Sequence, residues 1–347
     1  MTDILKKITA QRKKLDSYRP LPPELVKNLD EWFKIELTYT SNAIEGNTLT
    51  RQETALVVEK GLTVAGKSLS EHLEAINHAQ ALEYIKTLVG KKRKDITEKD
   101  ILDIHHIILS KIDDTNAGRY RNVPVRIAGS TVVMPNPLKV PKLMSEFIAW
   151  LHGKMTEHPA KIAADAHFKL VSIHPFTDGN GPRLRPGAVL SENGRTARLL
   201  MNLLLMQTGY PPALIKKENR LQYINAIEKG QLSGDLEDYY RMIYESIGNS
   251  LDIYLQAVSK GKLKAKAPTV AETKKLLKIG ELAKATGENV PTLRFWTKEG
   301  LLQPSGQTPG GYQLYAETMI AQSKKIRQLQ QEKRLTIREL KEMFRAP

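Results

Sequence analysis

The residues best suited to chemistry crowd into one stretch, His174 to Arg198. His174 ends an apolar helical pattern just before Pro175, and an imidazole there can take a hydroxyl proton near neutral pH. The turn that follows, with Gly179-Asn180-Gly181, sets two glycines around an asparagine, which permits positive φ angles and lets backbone N–H groups approach a phosphate. Asp178 offers the kind of carboxylate that Mg²⁺ takes together with phosphate oxygens. Arg195 and Arg198 lie three apart at the start of a helical pattern, so both can face one anion, and the helix N-terminus adds partial positive charge. Taken singly these signals are weak: a Gly-Asn-Gly is usually a turn, and a histidine after a helix is usually structural. Together they describe a phosphate site with a general base beside it.

Helices must position these groups. Apolar residues recur at three- and four-residue spacing over Pro23–Thr40, Leu69–Leu88, Glu98–Leu109, Lys142–Met155, Ala163–Ile173 and Arg195–Gln207, which predicts a mainly α fold. Val123–Val133 breaks the pattern. It is β-branched, alternating and centred on Gly129-Ser130, and predicts a small hairpin. Lys260 to Pro268 has repeated charge and no helical face, so 258–277 reads as a linker to a compact unit over 278–347. Ahead of it stand an N-terminal helical region, 1–65, and a core region, 66–257.

Composition narrows the classes. A chain of 347 residues, 41% hydrophobic and 26% charged, suits a globular protein of two or three domains. With no cysteine, disulfides, thiolate zinc sites and cysteine nucleophiles are excluded, and a reducing cytoplasm fits. The longest apolar stretch, Leu199 to Met206, is broken by Asn202 and is too short to span a membrane, so no membrane partner is expected. The net charge of +15 is uneven: from Lys260 onward 18 Lys and Arg face 8 Asp and Glu. A basic C-terminal quarter suggests a polyanion such as nucleic acid, and a solvated basic face is the plainer alternative.

The string His174-Pro-Phe-Thr-Asp-Gly-Asn-Gly181, with Arg195-Thr-Ala-Arg-Leu-Leu200 and the later Gly209-Tyr-Pro-Pro212, resembles the signature of Fic-domain AMP transferases, over roughly residues 20–250. The resemblance implies a helical Fic core with a small β-hairpin flap, ATP and Mg²⁺ as cofactors, and a protein Ser, Thr or Tyr hydroxyl as acceptor. By position, His174 would deprotonate the hydroxyl and Asp178 would hold Mg²⁺. The glycine turn would bind the α- and β-phosphates, with Arg195 and Arg198 completing the anion site. Val125, Arg126, Ile127 and Ala128 resemble the flap that aligns a target segment by strand pairing. Tyr223 resembles an adenine-pocket residue, and an ordinary core tyrosine is an equal reading.

Here the pattern is interrupted. Thirteen residues separate the turn from the arginine helix, and removing either Pro182–Gly194 or Asn180–Glu192 restores the uninterrupted string, because Asn-Gly occurs twice. Asn193-Gly194 is the favoured phosphate turn, since it leaves the arginines directly on a helix N-terminus. Pro182 and Pro186 disfavour a helix through the insertion. A longer loop costs little closure entropy, whereas a catalytic group displaced by about 1 Å can lose on the order of 10²-fold in rate.

Upstream, Ser41 and Glu45 are four apart and share a helical face, with Gly46 as a stop. Ser41-Asn-Ala-Ile-Glu-Gly46 resembles the inhibitory motif that some Fic proteins carry N-terminal to the core. By that resemblance Glu45 would pair with Arg198 and block the productive ATP pose, and in some relatives such a glutamate also promotes removal of AMP.

Lys278–Gly287 reads as a short helix ending at glycine, followed at helix-turn-helix spacing by Val290–Glu299. Gln303–Tyr315 reads as a turn-rich wing, and Lys324–Glu332 with Leu335–Phe344 as a closing helical pair. Thr292-Leu-Arg-Phe-Trp296 with Gly311-Tyr-Gln-Leu-Tyr315 resembles a MerR-type winged helix-turn-helix, which implies double-stranded DNA as a partner and Thr292, Arg294, Lys298 and Tyr312 as contacts. Phe295-Trp296 and Gln313 depart from that pattern and the long dimerisation helix is missing, so homodimerisation through the preceding region stays open. Two functions follow: an autoinhibited AMP transferase attached to DNA, or a DNA-binding regulator whose Fic region is catalytically disabled and serves as nucleotide sensor or dimer scaffold.

Overall fold

The computed structural model of the chain describes residues 2–127, 130–177, 192–259, 276–307, 313–332, 337, 339 and 340. The chain divides into two compact units, one of residues 1–54 and 68–267, the other of 268–347 together with 55–67.

The first unit is helical: α1 (Thr2–Asp16), α2 (Pro23–Ile44), α3 (Arg51–Lys60, which runs on into the second unit's share), α4 (Leu69–Leu88), α5 (Glu98–Leu109), α6 (Val140–His152), α7 (Pro159–Ile173), α8 (Glu192–Gln207), α9 (Arg220–Ser233) and α10 (Glu237–Ser259). Local chemistry sets several ends. Ser68 with Glu71 and Thr97 with Asp100 form reciprocal capping boxes that start α4 and α5, each satisfying two otherwise orphaned backbone donors. Proline in the first turn opens α2, α6 and α7, where its missing N–H costs nothing.

Helix α8 is the axis of this unit. Every residue from Glu192 to Leu205 is buried, and α8 packs against α7, α5, α4 and α2. Its C-terminal half is apolar on every side, through Leu199, Leu200, Met201, Leu203, Leu204 and Leu205, and such a surface is stable only when sheathed by other helices. Ile8 and Leu15 of α1 and Leu29 and Phe33 of α2 belong to the same core, so the N-terminal helices are continuous with the helices that follow.

Val123–Val133 departs from the expected hairpin. Its described residues form no strand. The backbone donors go elsewhere: Thr131 N–H to Glu228 of α9 and Val132 N–H to the Ser130 hydroxyl. With those donors taken by side chains, no ladder forms among the described residues of the segment, and Ser130 N–H reaches Ile127 C=O.

The second unit carries α11 (Ile279–Thr286), α12 (Val290–Lys298), α13 (Thr318–Glu332) and three short strands, β1 (Leu277–Lys278), β2 (Gly306–Gln307) and β3 (Gln313–Tyr315). The strands form an antiparallel sheet in the order β1-β3-β2. Gly287, at φ 77°, ends α11 in the left-handed conformation, and Asn289 caps α12 by accepting from Thr292 N–H at 2.8 Å. Leu282, Leu293, Trp296, Leu302, Tyr315 and Ile326 fill a core of its own. This is the expected helix-turn-helix with a wing, except that α13 starts six residues before Lys324. Most of 335–344, and Tyr312, lie outside the described residues.

No helix among the described residues is long and apolar enough to cross a membrane.

Candidate active site

His174 sits just beyond α7, buried, with φ 51° and ψ 59°. A non-glycine residue in the left-handed region is strained by about 1–3 kcal/mol and holds there only when its surroundings fix it. Two backbone bonds do so: His174 N–H donates to Leu170 C=O at 3.0 Å, and His174 C=O accepts from Arg121 Nε at 2.7 Å. Arg121, itself buried, also donates through Nη1 to Val123 C=O and through Nη2 to Pro135 C=O, at 3.2 and 2.6 Å. Its backbone N–H reaches Pro175 C=O. One guanidinium thus ties the histidine loop to Val123 and Pro135, on either side of the segment read as a flap from the sequence. Sequence reasoning passed over Arg121, because nothing local distinguishes it among 53 Lys and Arg.

The loop is also clasped to α8. Asn193 accepts from Phe176 N–H at 2.9 Å and donates to Phe176 C=O at 3.0 Å, a two-way bond between residues 17 apart. The Phe176 ring stacks on His105, centroids 3.7 Å apart and planes within 6°. His105 stays neutral there, because burial, reinforced by Arg195 and His106, pushes its pKa down to about 3.

Helix α8 begins at Glu192 rather than at Arg195, so Asn193 and Gly194 already lie in its first turn. The reason is that Asn193 spends its side chain on Phe176 while Glu192 pairs with Arg195 at 2.7 Å, which favours continuing the helix backwards. Of the remaining sequence-derived residues, Asp178, Gly179, Asn180, Gly181 and most of the insertion lie outside the described residues, as does Ala128 of the flap. Val125 is buried, Arg126 exposed and Ile127 half-buried.

Arg195 and Arg198 are both buried and both engaged. Arg198 donates to Glu45 at 2.7 Å, to the Ser41 hydroxyl at 3.0 Å and to Ser41 C=O at 2.9 Å. The end of α2 presents this carboxylate: Gly46, at φ 99°, turns the chain and leaves Glu45 as the cap. Gly194 makes room for it, since a Cβ there would stand 2.4 Å from Glu45 Oε1 and 3.0 Å from Arg198 Nη1. Arg195 donates to Asn42 and faces both Glu192 and Glu74. Burial opposes both charges, but the facing carboxylates outweigh it and hold both guanidinium pKa values above the ordinary value.

Tyr223 is buried, and its hydroxyl touches Arg198 Nη1 at 3.4 Å and His167 Nε2 at 2.7 Å. Tyr239 donates to Ala164 C=O at 2.9 Å, so its oxygen accepts from His167 Nδ1, 2.8 Å away. The direction of the whole chain follows: Arg198 to Tyr223 to His167 to Tyr239 to Ala164. His167 is held neutral, its pKa lowered to about 3 by burial and by Arg198. Tyr223 is therefore packed in the core and bonded to Arg198. His167 and Tyr239 carried no sequence signal, because their roles arise across α7, α9 and α10.

In the second unit, Arg294 and Lys298 are exposed on α12 while Leu293 and Trp296 are buried on its other face; Thr292 is half-buried near the N-cap.

Two family profiles match the chain: the Fic/DOC family over residues 95–185, and the MerR HTH family regulatory protein profile over residues 277–347. Among solved structures, Fic-1 (aa134–508) from C. elegans is 31% identical with a TM-score of 0.66, covering 75% of this chain and 73% of that one. A Fic domain containing signaling protein from Bacteroides thetaiotaomicron is 29% identical with a TM-score of 0.63, covering 74% and 97%. The protein adenylyltransferase Fic of Aedes aegypti is 35% identical over 283 residues, which are 81% of this chain and 51% of that protein. The chain spans about half the length of the curated relatives it matches.

Proposed function

The chain belongs to the Fic/DOC family, and from that premise we propose that it is an autoinhibited protein adenylyltransferase, moving AMP from ATP to a Ser, Thr or Tyr hydroxyl of a protein, itself included. The observation that carries this reading is the Glu45 carboxylate 2.7 Å from Arg198, at the N-terminal turn of the helix clasped to the histidine loop. That turn is where polyphosphate would bind, and the carboxylate occupies the arginine that binding needs.

In the proposed reaction the hydroxyl oxygen bonds to the α-phosphorus while the bond to the bridging oxygen breaks. His174 takes the hydroxyl proton, and pyrophosphate leaves with the electron pair of the broken bond. Arg198, freed from Glu45, holds phosphate charge, and Tyr223 steadies it from behind. Mg²⁺ would balance polyphosphate charge. Its proposed ligand, Asp178, lies outside the described residues, and one carboxylate completed by phosphate oxygens is an ordinary donor set for that ion.

The test is self-labelling with labelled ATP and Mg²⁺. Glu45→Gly is expected to label itself at least about tenfold more than the wild type, the scale of a charge-assisted hydrogen bond of ~1.5–3 kcal/mol. Equal, negligible labelling of both proteins would favour the reading in which the Fic region is a disabled sensor or scaffold.

The second unit supports double-stranded DNA as a partner, on the exposed Arg294 and Lys298 of α12. Arg294→Ala with Lys298→Ala is expected to weaken DNA binding and lower the slope of log K against log salt by about 2, one for each phosphate no longer neutralised. An unchanged slope would assign this face to protein contacts.

A further inference from the structure

We propose that Glu192 is a second built-in restraint on the nucleotide site, acting on Arg195 as Glu45 acts on Arg198. The inference rests on the adenylyltransferase reading and concerns the regulation of the same site.

Glu192 is wholly buried, and its Oε1 stands 2.7 Å from Arg195 Nη2. Arg195 is buried to the same degree and also faces Glu74, at 3.4 Å. Among the described residues, the two arginine cations of this turn therefore face three carboxylates, those of Glu45, Glu74 and Glu192. A polyphosphate that binds these arginines must displace the carboxylates facing them, and burial magnifies the repulsion between the like charges. Removing Glu45 alone frees Arg198 and leaves Glu192 and Glu74 facing Arg195. Arg195 is then still covered, so the site is only partly released.

The three carboxylates are not equivalent. Glu74 belongs to α4 and is held by its own network, accepting from Asn47 at 2.9 Å and from Ser70 at 3.2 Å. It serves as a fixed anchor for Arg195. Glu192 belongs to the first turn of α8, the end at which the phosphates would arrive, and competes there for the same helix-terminal field. The chain itself supplies the contrast. The first Asn-Gly pair, Asn180-Gly181, is preceded by Gly179, which carries no side chain; the second, Asn193-Gly194, is preceded by Glu192. The pair that lies on the arginine helix is thus the one that brings its own anion.

Calorimetric titration of ATP into the full chain tests this with four proteins: wild type, Glu45→Gly, Glu192→Gln and the double variant. Glutamine keeps the size and a hydrogen-bond acceptor for Arg195 while removing the charge, and Glu74 keeps Arg195 anchored, so folding is retained; a thermal melt within a few degrees of wild type checks it. Glu192→Gln alone is expected to gain less affinity for ATP than Glu45→Gly, because Glu45 still holds Arg198. The double variant is expected to bind at least about tenfold more tightly than Glu45→Gly. Should glutamine at 192 unfold the chain, Glu192→Asp, which withdraws the carboxylate by one methylene, is expected to give a smaller gain in the same direction. Equal or weaker binding by the folded double variant, or by the folded Asp variant in the same background, overturns the restraint and leaves Glu192 a structural partner of Arg195. ATP binding by none of the proteins overturns it together with the adenylyltransferase reading, whereas tightened binding without any labelling upholds the restraint and sinks only the transferase.

Discussion

Replacing His174 by alanine in the Glu45→Gly background is expected to lower AMP transfer by about 10²–10⁴-fold, the range expected when a positioned general base is removed. ATP affinity should barely move, because the arginines and the helix end proposed to receive the phosphates lie on α8, outside the residue exchanged. The backbone argues for a clean substitution. His174 is held by its own N–H and C=O, bonded to Leu170 and Arg121, so alanine keeps the loop tied at both points. It inherits the left-handed conformation, which costs alanine as it costs histidine. Labelling kinetics at saturating ATP, read beside calorimetric affinity, separate the two effects. A variant that labels as fast as its parent would remove His174 from the mechanism, and one that fails to bind ATP would make it a structural residue.

Arg121→Ala is expected to be the most damaging change outside the anion site. The substitution deletes donors to the carbonyls of His174, Val123 and Pro135 at once. Hydrogen bonds to charged groups contribute about 1.5–3 kcal/mol each, and buried carbonyls left without donors add to the destabilisation. A destabilisation of about 3–5 kcal/mol follows, large against the ~5–15 kcal/mol that hold a domain folded. Chemical denaturation measures it directly. Arg121→Lys keeps the charge but replaces a rigid fork with a single ammonium, so it should recover part of the stability and little of the transfer rate. Recovery of both by lysine would mean that charge, rather than the geometry of the three carbonyls, is what the loop requires.

The two changes act on different links of the same chain of cause. His174 is the proposed proton acceptor, whereas Arg121 and the Asn193–Phe176 clasp put it beside a helix 18 residues further on. A family signature names the first kind of residue readily. The second kind is defined by what it touches, and a sequence does not display contacts between residues tens of positions apart.

Much was nonetheless legible in the residues alone. α4 and α5 run over Leu69–Leu88 and Glu98–Leu109, the very limits that apolar spacing predicts, because Ser68–Glu71 and Thr97–Asp100 encode their starts within four residues. Gly287, Asn289 and Pro291 likewise mark the turn between α11 and α12 by local conformational preference. Ser41 and Glu45 share a face through helical spacing, and the resemblance of their motif named Arg198 as the target. Where the outcome hung on partners distant in sequence, local reasoning stopped short. Val123–Val133 has the alternation of a hairpin, yet Glu228 and Ser130 take its donors. The helix pattern at Arg195 extends back to Glu192, because Phe176 and Arg195 engage the two residues that precede Gly194 and anchor that turn.

His174 to Arg198, the stretch richest in chemistry, divides along the same line. Its residue types, their order and their family were determined by the sequence, since a base, a glycine turn and paired arginines are local features that survive an insertion between them. Which carboxylates cover the arginines, and what clasps Asn193 to the histidine loop, was decided by tertiary structure alone. Those outcomes depend on α2, α4 and α8 meeting around buried charge, where each arginine must find an anion or bear an uncompensated desolvation cost.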